Sequence, residues 1–123
     1  MEDFYYRKLK VYHLAKELVA DVYSLAKSFP KTEQYGLTSQ LCRAVISIPS
    51  NIAEGMGCFS KKERVHFLEV AYGSLMETMC QLEIAEMLEY ISEEQIQGIE
   101  TKVTNASKML ISLRKAIENK ITN

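Results

Sequence analysis

The chain has 123 residues, enough for one domain with its own core, and its 47% hydrophobic and 25% charged content exclude a disordered class. Two prolines and five glycines favour long helices over a turn-rich β fold. A net charge of −1 is not the strongly basic balance usual for a nucleic-acid-binding domain, and no apolar run reaches the roughly 18 residues that span a bilayer.

The spacing predicts four helices, over about 5–28, 38–57, 61–90 and 93–120. In the first, Val11, Ala15, Leu18, Val22, Leu25 and Phe29 recur every three or four residues, one face of a helix. Phe29-Pro30 stops it, because the residue before proline is pushed out of helical geometry. The second carries a core stripe of Leu41, Val45, Ile48, Ile52 and Met56, and within it the segment Ser47-Ile48-Pro49-Ser50-Asn51-Ile52-Ala53-Glu54-Gly55. Proline in a helix interior costs about 3 kcal/mol and glycine about 1 kcal/mol, so this segment carries residues that a helix alone does not select. The third opens on the capping box Ser60-Lys61-Lys62-Glu63 and continues through Phe67/Leu68, Ala71, Leu75, Met79 and Leu82. The fourth opens on a second box, Ser92-Glu93-Glu94-Gln95, and its core is Ile96, Ile99, Val103, Ala106, Leu110, Leu113 and Ile117. Short connections make neighbouring helices antiparallel. The expected fold is all-α, an up-down-up-down four-helix bundle forming one domain over 1–123.

On a wheel the second helix shows two further strips. Cys42, Ile46, Pro49 and Ala53 are small or apolar, and an apolar arc this wide predicts burial on a second side, against another subunit. Gln40, Arg43, Ser47, Asn51 and Glu54 are polar and need partners if buried. Ser74, Glu77 and Gln81 on the third helix offer a matching strip, which predicts a structural hydrogen-bonded network between helices two and three, within or across subunits. Pro49 also frees the carbonyl of Val45.

Charge is segregated along the chain. From Glu69 to Glu100 there are eight acidic residues and no Lys or Arg. Basic residues collect at Lys61, Lys62 and Arg64, and near the end at Arg114, Lys115 and Lys120. These six are the candidate nucleic-acid contacts; the alternative is solvated helix faces that pair with one another. Cys42, Cys58 and Cys80 have no metal-ligand spacing, and an odd count without a signal peptide predicts free thiols in a reducing cytoplasm. His13 and His66 are isolated. No catalytic constellation, cofactor loop or metal cluster is legible. Glu63-Arg64-Val65-His66 is the one Glu-x-x-His in the chain, where a di-metal bundle needs two. A non-enzymatic protein without cofactor or metal is expected.

Gln40-Leu41-Cys42-Arg43-Ala44 followed by Ser47-Ile48-Pro49-Ser50-Asn51-Ile52-Ala53-Glu54-Gly55 resembles the signature of the four-helix proteins encoded in intervening sequences of bacterial 23S rRNA genes. Leu9-Lys10-Val11-Tyr12, Phe29-Pro30 with Glu33, Tyr35-Gly36-Leu37-Thr38, and Phe67-Leu68 with Ala71, Gly73-Ser74-Leu75 and Glu77 extend the resemblance over nearly the whole chain. It implies a ring-like homopentamer. That family is similar to the accessory variability protein of diversity-generating retroelements, which partners a reverse transcriptase and contacts nucleic acid. Gly57-Cys58-Phe59 stands where family members often carry a basic residue. Two functions follow as expectations: an oligomeric accessory protein associated with RNA or with a nucleic-acid-binding partner, or a protein-interaction scaffold whose acidic Glu83, Glu86 and Glu89 suit a basic partner.

Overall fold

The computed structural model describes residues 3–120, so residues 1–2 and 121–123 of the expected 1–123 domain lie outside it. The all-α bundle expected from the sequence is the one observed, with no strand among the described residues. Its helices are α1 (Lys10–Ala26), α2 (Leu37–Met56), α3 (Lys61–Met87) and α4 (Glu93–Glu118). Each packs on two neighbours: α2 against α1 and α3, and α4 against α3 and α1.

Side-chain contacts fix the directions. Gly55 lies against Phe67, Ser47 bonds Ser74, and Gln40 bonds Gln81, so α2 and α3 run in opposite directions. Lys61 reaches Glu118, Glu69 reaches Arg114, and Tyr72 reaches Ser107, the same relation for α3 and α4. The predicted stripes turn inward. Leu18, Val22, Leu41, Val45, Ile48, Ile52, Leu75 and Leu82 are fully buried, each contributing about 1.5–3 kcal/mol by leaving water.

The expectation of a single first helix over 5–28 is corrected at its start. Tyr5–Lys8 form a 3-10 turn, and Leu9 is extended (φ −86°, ψ 126°) before α1 begins at Lys10. The reason is aromatic packing. Tyr6 meets Tyr12 edge-on with ring centroids 4.8 Å apart, which needs the chain folded back on α1, and the periodic apolar stripe begins only at Val11. At the other end Phe29 is buried against Tyr90 (5.5 Å between centroids).

Two helix ends use devices without an obvious sequence signature. The N-terminus of α2 has Gly36 at its cap and no capping side chain there. Glu33 serves instead: its Oε1 accepts the Leu37 N–H at 3.0 Å, and its Oε2 accepts the Tyr90 hydroxyl at 2.9 Å. A Cβ on Gly36 would lie 2.8 Å from that Oε1, so glycine leaves room for the carboxylate. These bonds hold the Glu33 carboxyl below its ordinary pKa and the Tyr90 phenol above its own. α3 ends in a Schellman turn. Glu89 takes φ 65°, its N–H donates to Glu86, and the Tyr90 N–H reaches the Ala85 carbonyl at 2.9 Å.

Candidate functional site

The seam between α2 and α3 is the most extensively packed in the molecule. Gly55 is buried on α2, and a Cβ there would come within 2.8 Å of Phe67 Cβ and 3.4 Å of the Arg64 carbonyl. Glycine therefore acts here through space, allowing the two backbones to approach.

That approach brings part of the polar strip together. Asn51 Nδ2 donates to the Ser47 carbonyl and to Ser47 Oγ, both at 2.8 Å, and Ser74 Oγ donates to Ser47 Oγ at 2.8 Å. Further along, Gln81 Nε2 donates weakly to Gln40 (3.4 Å) and Glu77 (3.3 Å). Ser74, Thr78 and Gln81 are buried, and Thr78 bonds the Ser74 carbonyl one turn back. The Oε1 of Gln81 is buried without a partner among the described residues. Arg43 and Glu54 stay exposed outside this seam. Only backbone bonds place Glu54: its carbonyl accepts from Gly57 N–H and, at 3.4 Å, from the Cys58 thiol. The Ser47–Asn51–Ser74 cluster does structural work within one chain. It satisfies hydroxyls and an amide that would otherwise cost about 1–3 kcal/mol each when buried.

Pro49 sits inside α2 without ending it. With Ile46 and Ala53 it faces Tyr12, Lys16 and Val19 of α1 across an open groove of about 530 Å³. Ile46 is 43% exposed. Burial pushes the thiol of Cys42, on the same strip, above its ordinary pKa, partly offset by the nearby Tyr23 hydroxyl. All three cysteines are free thiols.

The antiparallel arrangement gathers the basic candidates at one end, where α1 and α3 begin and α2 and α4 finish. Three of the six are engaged internally. Lys61 Nζ donates to the backbone carbonyls of Glu118 and Lys120, clasping the end of α4. Arg64 Nε donates to the Cys58 carbonyl at 2.7 Å. Arg114 bridges Glu69 at 3.0 Å and Glu118 at 3.4 Å. Lys62, Lys115 and Lys120 are exposed and in no ion pair among the described residues. Beside them, Phe59 at the α2–α3 loop is 93% exposed. Lys8, in the 3-10 turn, and Lys10, at the start of α1, extend the basic end. Carbonyl acceptors carry no side-chain signature, which is why the internal use of Lys61 and Arg64 could not be read from the sequence.

No group of three or more His, Cys, Asp or Glu side chains able to hold a metal occurs among the described residues. No described helix is long and apolar enough to cross a membrane.

Comparison with known proteins agrees with this architecture. A crystal structure of a protein of unknown function from the S23 ribosomal protein family of Bacteroides thetaiotaomicron VPI-5482 superposes with a TM-score of 0.78 at 28% identity, covering 85% of this chain and 98% of that one. No curated protein matches the chain. The family described as 23S rRNA-intervening sequence protein matches residues 7–112, which include the Ser47–Ser74 seam, the Gly55 contact and the clasp residue Lys61. The chain belongs to the 23S rRNA-intervening sequence protein family.

Proposed function

We propose that the protein is a non-enzymatic, homo-oligomeric cytoplasmic accessory protein, assembled as a homopentamer and associated with RNA or with a nucleic-acid-binding protein. The observation that carries this reading is the convergence of basic residues from three helices on one end of the bundle. Lys62, Lys115 and Lys120 are exposed there and available for phosphates. The family's description, which ties its members to intervening sequences of 23S rRNA, supports the same reading. Subunit contact is assigned to the α1–α2 groove, where Ile46, Pro49 and Ala53 leave apolar surface uncovered.

Phosphate contacts dominate such binding and weaken linearly with the logarithm of salt concentration. The test is a salt titration of binding to a structured RNA, with solution mass measured alongside by light scattering. The wild-type chain binds at about 50 mM salt, and a Lys62→Ala/Lys115→Ala/Lys120→Ala variant binds more weakly with a shallower salt slope. No wild-type binding at low salt refutes the nucleic-acid association, and a monomeric mass refutes the assembly.

A further inference from the structure

α3 is apolar on both sides. Its inward side buries Leu68, Leu75 and Leu82. Its outward side presents Gly73, Met76, Cys80, Ile84 and Met87, at spacings of 3, 4, 4 and 3. These five fall within a strip about 80° wide and about 21 Å long. All are exposed, Met76 by 39% and Met87 by 71%. A Cβ on Gly73 would meet nothing within 4 Å. The strip continues into a groove of about 280 Å³ between α3 and α4, floored by Tyr72, Leu110 and Ile111. A helix apolar all round is normally covered on both sides.

Carboxylates stand on both borders. Glu77 and Glu83, both exposed, lie on opposite edges of the strip. The α3–α4 register set by Tyr72 with Ser107 puts exposed Glu100 of α4 level with Cys80. Arg114, at the far end of the groove, is already paired with Glu69. Arg43 on α2 is the cation nearest this level in the α2–α3 register set by Gln40 with Gln81 and Ser47 with Ser74.

We infer that the outward face of α3 is a docking surface for a basic amphipathic helix of a partner protein. The helix lays its apolar side on Met76, Ile84 and Met87 and its Lys or Arg side chains beside Glu77, Glu83 and Glu100. Charge complementarity selects this occupant. In a symmetric contact with a second copy, Glu77 and Glu83 would meet their own kind; a head-to-tail contact with a ring neighbour is the competing occupant, and the solution mass of the Met76→Ser/Ile84→Ser protein tests it. Flexible, polarizable methionines suit a surface that adapts to its ligand. The surface is separate from the basic end and does not depend on RNA binding there.

The test is fluorescence anisotropy of the full chain with two labelled peptides of about 18 residues, long enough to cover the strip as a helix. One is an amphipathic Leu/Lys peptide, the other its Leu/Glu counterpart. The Leu/Lys peptide binds and weakens with salt, and the Leu/Glu peptide does not bind. Glu77→Gln/Glu83→Gln weakens binding roughly tenfold and flattens its salt dependence. Met76→Ser/Ile84→Ser weakens it at low and high salt alike. Glu93→Gln/Glu94→Gln, off the strip, changes it by less than about twofold. Equal binding of both peptides, or equal loss in the Glu93/Glu94 control, overturns the inference. So does a fall in the solution mass of the peptide-free Met76→Ser/Ile84→Ser protein, which assigns the strip to a second copy.

Discussion

The α2–α3 seam and the α1–α4 seam solve the same packing problem by different means. Between α2 and α3 the residues are small: Gly55 admits Phe67, and Ser47 meets Ser74 directly. The backbones approach, and polar groups come inside, all but Gln81 Oε1 with partners among the described residues. Between α1 and α4 polar contact moves to the rim. There Lys102 Nζ reaches Asp21 at 2.7 Å and Glu17 at 3.4 Å, with every side chain at least a third exposed. The Asp21 bond, opposed by partial desolvation, raises the Lys102 pKa. A buried neutral bond fixes position because leaving it unmade is expensive. An exposed ion pair is screened by water and salt and fixes little.

Substitutions can break that contrast. The largest expected effect is Gly55→Ala. The new methyl has no room against Phe67, and overpacking of this kind costs about 1–3 kcal/mol, read as a lower denaturation midpoint. Ser74→Ala comes next. It leaves Ser47 Oγ without its cross-helix donor and costs about 1–2 kcal/mol, whereas Ser47→Ala/Ser74→Ala costs less than the two singles combined. A double-mutant cycle in chemical denaturation measures the difference. Lys102→Ala, at the rim of the other seam, costs under about 1 kcal/mol, and less still at 1 M salt. A loss from Lys102→Ala equal to that from Ser74→Ala would erase the distinction between the seams.

The smallest effect is a pH dependence that belongs to neither seam but to the α2 cap. The Glu33 pKa is lowered from 4.5, first by the Leu37 N–H and then by Tyr90. Its contribution is present above pH 4.5 and is lost as pH falls through the lower native value. The Tyr90 pKa is raised from 10.0, first by its bond to Glu33. Its contribution is present below pH 10 and is lost as pH rises through the higher native value. Thermal unfolding of Glu33→Gln against wild type should show a gap widest between those limits and narrower beyond them. A gap that does not change with pH would remove the carboxylate from the cap.

The periodic features of this chain were legible because burial repeats with the helix. Leu41, Val45, Ile48 and Ile52 are all buried. Of the two expected capping boxes, Ser92 forms the whole and Ser60 only half, accepting the Glu63 N–H. Features that rest on single long-range contacts were not legible. Tyr90 lies 57 residues from the carboxylate it orients. Glu89 closes α3 in a left-handed conformation that usually announces itself as glycine or asparagine. Of the polar strip, Ser47, Asn51 and Ser74 meet as their spacing allows, while Arg43 and Glu54 share the spacing but not the contact. A wheel gives direction, and interhelical distance then decides which polar groups bond.

The clasp of Lys61 over the last carbonyls of α4 has a kinetic consequence. A helix C-terminus ordinarily frays on its own, exchanging its amide hydrogens quickly. Here Lys61 Nζ, on the first residue of α3, bonds the Glu118 and Lys120 carbonyls, so the fraying of Lys115–Lys120 is tied to that of the α3 start. Amide exchange in the two segments should rise and fall together, and Lys61→Met should uncouple them. A polyanion that captures Lys61 would release the end of α4, so ligand binding at this end would be readable as faster exchange far along the chain.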